Sequence, residues 1–96
     1  MVTVWTPQAI AELRKAYDYI SKDSPQNARK VVDELTRIAD QLPVQPEMFP
    51  ADKFKKNNDG TWRAFEKYHY RISYRIAAGE IRIVRMRHTS RTPPQY

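Results

Sequence analysis

The stretch Tyr70-Arg71-Ile72-Ser73-Tyr74-Arg75-Ile76 alternates strictly between large apolar and polar side chains. Period two marks a strand with one buried and one open face, because successive side chains point to opposite sides of a sheet. Tyr70, Ile72, Tyr74 and Ile76 then line a core. Arg71 and Arg75 face away from it, about 13 Å apart along the strand at ~3.3 Å per residue. The strand is predicted to cover 69–77 and to end at Ala78-Gly79, where glycine accepts the positive φ of a tight turn. Residues 81–87 return as a further strand with broken alternation: Ile81 and Ile83 share one parity, Val84 and Met86 the other. A bulge or burial on both faces accounts for the break. Arg82, or else Arg85 and Arg87, then joins the arginine face. Residues 62–68 form the preceding strand, introduced by the turn signal Asn58-Asp59-Gly60.

The N-terminal half has a different period. After a short β-prone run at 2–5, Thr6-Pro7 supplies an N-cap oxygen and a first-turn proline. Ile10, Leu13, Tyr17 and Ile20 follow at helical spacing. Ser24-Pro25 repeats the start signal, and Ala28, Val31, Leu35, Ile38 and Leu42 continue it. Pro43, Pro46 and Pro50 end the second helix and leave 43–60 as a long connection carrying Lys53, Lys55 and Lys56. The order is β-α-α-β-β-β. The fold class is α+β, a helical hairpin on one face of a mainly antiparallel four-stranded sheet.

The chain has 96 residues, 41% of them hydrophobic and 29% charged, which fits one domain over 1–96 with one modest core. There is no cysteine, hence no disulfide or zinc–thiolate site. Two histidines without a ligand spacing argue against a metal, and two glycines cannot build a phosphate loop. No cofactor is expected. With neither a membrane-length apolar run nor a secretory leader, the expected location is the cytoplasm.

The net charge of +6 is unevenly spread. Residues 1–50 hold six basic and seven acidic side chains, a net of −1; residues 51–96 hold eleven and four, a net of +7. A basic half beside a neutral one points to nucleic acid or an acidic protein segment as partner; a solvated basic surface is the plain alternative. Arginine suits such a face, because its planar fork grips phosphate or carboxylate and stays charged. His88 can exchange a proton near neutral pH or stand as an ordinary strand-end histidine. Tyr96 can hydrogen-bond a reacting oxygen or stack on a base. Glu66 is either a general base or an arginine partner, the salt bridge being preferred.

Taken in order, Tyr70-Arg71-Ile72-Ser73-Tyr74-Arg75-Ile76, Ile81-Arg82-Ile83-Val84-Arg85-Met86-Arg87-His88 and the ending Thr89-Ser90-Arg91-Thr92-Pro93-Pro94-Gln95-Tyr96 resemble the RelE/ParE toxins of type II toxin–antitoxin systems. The resemblance covers nearly the whole chain. It implies a cognate antitoxin whose disordered segment folds over the basic surface. It also implies one of two activities. RelE-like members cleave mRNA in the ribosomal A site, and ParE-like members inhibit DNA gyrase without a catalytic constellation. For the metal-independent ribonuclease, placed first here, Arg71, His88, Arg91 and Tyr96 match catalytic positions. Arg75, Arg85, Arg87 and Lys53, Lys55 and Lys56 would then bind substrate. A non-catalytic basic module that binds nucleic acid or protein is the reading outside the toxin class.

Overall fold

The computed structural model describes residues 1–91. Its elements are β1 (Val2–Trp5), α1 (Pro7–Ser21), α2 (Pro25–Gln41), β2 (Trp62–Lys67), β3 (Tyr70–Ala77) and β4 (Glu80–His88). Both helices start as their caps dictate. Thr6 Oγ1 accepts from Ala9 N at 3.1 Å, Ser24 Oγ accepts from Asn27 N at 3.1 Å, and a proline follows each cap. The sheet order is β1-β4-β3-β2. β1 runs parallel to β4, and the other two pairings are antiparallel, so the sheet is mixed.

The helical hairpin covers one face of this sheet. Ile72, Tyr74, Ile81, Ile83, Met86 and Phe65 meet Ala9, Ala16, Val31, Leu35, Ala39 and Leu42 in a single core. The apolar face of β3 is therefore the buried one, as its alternation requires. Tyr74, though fully buried, keeps its hydroxyl satisfied by donating to Pro46 O at 2.8 Å.

The parity break in β4 is a bulge. Ser73 is opposite Arg85 and Tyr74 is opposite Ile83, so Val84 is the extra residue. It leaves Ile83 and Met86, three residues apart, both buried. It also turns Arg82, Arg85 and Arg87 to the side of Arg75, Ser73 and Arg71, their cross-strand partners. The two arginine sets that parity alone made alternatives share one face.

Two sequence expectations are corrected. The helix stripe through Ile10 and Tyr17 is turned: Ala9 and Ala16 are the buried positions of α1, with Leu13 and Ile20 packed beside them, and Ile10 is 45% exposed. Small alanines let α1 lie close to its neighbours, and the rotation brings Glu12 to β4. The second correction concerns the strands expected at 62–68 and 69–77, which do not abut. Lys67 pairs with Tyr70, and Tyr68 and His69 form a two-residue turn at φ 55° and 67°. Both positive φ values mark the hairpin geometry normally filled by Asn-Gly. Tyr and His carry no such signal, which is why the turn is hidden in the sequence.

Residues held in the left-handed region without being glycine cost roughly 1–2 kcal/mol each. Replacing Tyr68-His69 by Asn-Gly should therefore raise the unfolding free energy by about 1 kcal/mol, read as a higher urea midpoint at unchanged slope. An unaltered or lower midpoint would mean that the turn is not strained.

Candidate functional site

On the face away from the helices, the bulged pairing assembles Arg71, Arg75, Arg82, Arg85 and Arg87 across β3 and β4. That face is not open over its whole area. The 43–61 connection runs along the edge of β2, where Asp52 N donates to Trp62 O at 2.8 Å and Ala51 bridges Arg63. It then puts Asp52 and Phe54 against Arg71. A cleft of about 540 Å³ lies between this connection and the start of α1, lined among others by Asp52, Trp62, Arg71, Ser73, Arg85 and Arg87.

Carboxylates decide which of these cations are free. Arg71 donates to Asp52 Oδ1 at 2.8 Å and to Glu66 Oε2 at 2.9 Å, and its guanidinium lies 4.8 Å from the Phe54 ring centroid. The Asp52 side chain is 0% exposed and that of Arg71 11%. A carboxylate so buried has to be paired, so this is an internal ion pair and not a surface one. Glu66, 51% exposed, adds a second negative charge at the rim. Arg85 donates from Nε at 3.3 Å and Nη2 at 3.2 Å to the carboxylate of Glu12, which also accepts the Met86 backbone N–H at 2.9 Å. Arg82 is bonded to Glu80 at 3.0 Å. Among the described residues, Arg87 is in none of these ion pairs.

Aromatic contacts hold Arg75, Lys53 and Lys55. Trp62 has the Arg75 guanidinium 5.0 Å and the Lys55 ammonium 4.9 Å from its ring centroid. The Nε of Arg75 is buried with no hydrogen-bond partner. Lys53 lies 5.3 Å from the centroid of the Phe54 ring, and Lys55 Nζ donates to Lys56 O. None of the three lysines lines the cleft itself.

His88 and Arg91 are elsewhere. Tyr70 pairs with His88 and Arg71 with Arg87, and Tyr70 faces the helices, so the alternation puts His88 on the opposite side of the sheet from Arg71. His88 and Arg91 line a second cleft of about 430 Å³ between α1 and the end of β4, with Glu12, Lys15, Tyr19 and Tyr70. Burial, aided by Tyr19 and opposed by Arg91, raises the pKa of Tyr70 above its usual value, so its phenol stays protonated at neutral pH. Tyr96 lies outside the described residues. The structure thus brings Arg71 to the first cleft and His88 and Arg91 to the second, with Arg85 and Arg87 lining both.

Sequence reasoning passed over Asp52, Glu12, Trp62 and Ser73. Its place directly before Lys53, Lys55 and Lys56 was the available sign for Asp52. Glu12 had none, because its role follows from the rotation of α1.

Removing one partner of a buried pair leaves an uncompensated charge. Asp52→Ala should cost about 3 kcal/mol by denaturant unfolding, while Glu66→Ala at the exposed rim costs less than about 1 kcal/mol. Equal costs would refute the internal role of Asp52.

The family model described as the ParE toxin of the type II toxin–antitoxin system parDE matches residues 3–93. Toxin RelE2 of Caulobacter vibrioides is 35% identical over 89 residues, which span 92% of this chain and 94% of that protein. A solved structure of the chromosomal ParDE toxin–antitoxin system from P. aeruginosa is similar with a TM-score of 0.71 at 23% identity, over 92% of this chain and 95% of that one. At that identity the likeness speaks for the fold.

Proposed function

The chain belongs to the ParE toxin family of type II toxin–antitoxin systems, within the RelE/ParE superfamily, and we propose that it arrests growth by binding a protein target, DNA gyrase, and is held inactive by a cognate antitoxin. The observation that carries the choice of target is the state of the cleft arginines. Phosphoryl transfer from mRNA needs cations free to stabilise a charged transition state and a group to move the 2′-hydroxyl proton. Arg71 is instead tied to two carboxylates and Arg85 to one. His88, the group suited to proton transfer, faces the other side of the sheet. Ion pairs of this kind suit a surface whose charges fix its shape and partner, because charge complementarity selects partners and sets approach rates.

Ribosome-dependent mRNA cleavage is the second reading. It is favoured by one arrangement: Arg87, outside the ion pairs that hold Arg71, Arg82 and Arg85, lines the cleft of about 540 Å³, a place where a phosphate would fit. In that reading Arg71 is a structural support of the cleft, and Arg87 carries the phosphate contact.

Expression of the chain without antitoxin separates the two. Gyrase inhibition should give DNA breaks and a DNA-damage response while transcripts stay intact. Transcripts cut within codons, with replication unaffected, would overturn the gyrase reading in favour of the ribonuclease. In either case Arg87→Ala should lower toxicity at least about tenfold, while its stability falls by no more than about 1 kcal/mol, because the half-buried side chain is in none of the ion pairs that hold Arg71, Arg82 and Arg85. Full toxicity of Arg87→Ala would remove the outer cleft from the mechanism.

A further inference from the structure

His88 closes β4 with an unusual set of contacts. Its Nδ1 lies 3.1 Å from the Ser90 backbone N and 2.7 Å from Ser90 Oγ. A backbone N–H can only donate, so Nδ1 is an acceptor, and the neutral ring carries its proton on Nε2. The same turn is held by Thr89 N donating to His69 O at 2.8 Å and by Arg91 N donating to His88 O at 3.1 Å. The imidazole is fixed in place by two rings. Tyr70 meets it edge-on at 5.2 Å between centroids, and His69 lies nearly parallel at 6.3 Å. His69 reaches that position from the positive-φ turn between β2 and β3. This side chain therefore acts as a cap on residues 89–91, much as an Asn or Asp side chain does in a turn.

We propose that His88 is a pH-sensitive lock: its neutral ring holds the turn at residues 89–91, and thereby Arg91, at the cleft beside α1, and protonation of the ring opens that turn. A proton from solvent can add only at Nδ1. There it converts the acceptor into a donor, so the Ser90 N–H loses its partner, and the ring keeps only the Ser90 hydroxyl as an acceptor. The new charge enters a cationic cleft. The groups that share it are Glu12, Lys15 and Tyr19 from α1, Tyr70 from β3, Arg85 and Arg87 from β4, and Arg91. The one carboxylate among them, Glu12, is already bonded to Arg85 and to the Met86 N–H. The imidazolium and Arg91 therefore repel each other, and among the described residues that line the cleft no other carboxylate offsets the repulsion.

Asparagine separates capping from titration. Its Oδ1 stands at the same number of bonds from the backbone as Nδ1, accepts from Ser90 N–H and does not titrate. Amide exchange and chemical shifts of Ser90 and Arg91 in the full chain, followed by NMR between about pH 5 and pH 8, provide the readout. In the parent the Ser90 amide should lose about tenfold protection on acidification, after correction for intrinsic exchange, as befits one lost hydrogen bond. His88→Asn should remain protected throughout, and His88→Ala should be unprotected throughout, both with unchanged β3 and β4 amides. His69→Asn should keep the step. A step that persists in His88→Asn or vanishes in His69→Asn would overturn the proposal, as would protection in His88→Ala equal to that of the neutral parent. None of these readouts depends on which target the toxin has.

Discussion

One extra residue in β4 governs the layout of the molecule. Without the bulge at Val84, the strand could place either Ile81 and Ile83 or Met86 toward the helices, but not all three. With it, Tyr74 pairs with Ile83 and Ser73 with Arg85, and the core receives apolar side chains from both halves of the strand. The same shift gathers the arginines of β4 on the outer face beside those of β3. Core and charged face are thus set by one local irregularity. Bulges beside functional sites are common because they re-aim side chains at little cost to pairing.

The sheet edges are managed by the same residues that control charge. Glu12 accepts the Met86 N–H at the part of β4 that β1 does not reach, and it holds Arg85 while doing so. On the far edge the 43–61 connection pairs with β2 and delivers Asp52 to Arg71. Free strand edges invite pairing with other chains, and the uncovered end of β4 and the edge of β2 are each blunted here by a carboxylate-bearing segment. The consequence for function is that two cations of the outer face are committed internally. What that face offers a partner is Arg87 and the cluster of Trp62 with Arg75 and Lys55.

The two faces of the sheet end carry separate chemistry. Arg71 and Arg87 are opposite one another on the outer side, and Tyr70 and His88 are opposite one another on the helix side. A site that joined His88 to Arg71 would need them on one surface, which the pleat of the strands forbids. The separation leaves the imidazole free for a structural task at residues 89–91, while the outer cleft presents a fixed array of charges.

Local chemistry made much of this fold legible. Thr6-Pro7 and Ser24-Pro25 mark helix starts because capping needs only an oxygen and a fixed φ within one turn of chain. The alternation from Tyr70 to Ile76 identifies the inner face of β3 for the same reason: it is a property of consecutive residues. The hidden Tyr68-His69 turn, the rotation of α1 onto Ala9 and Ala16 and the choice between a bulge and two-sided burial were not legible. Each depends on how closely one element can approach another, which no short window of sequence contains. The candidate site divides along the same line. Its basic residues follow from composition and parity, and Glu66 was readable as an arginine's partner. That Asp52 and Glu12 neutralise Arg71 and Arg85, and that His88 faces away from both, was decided only when distant segments packed, because the field at a charge is set by its neighbours in space and not by those in the chain.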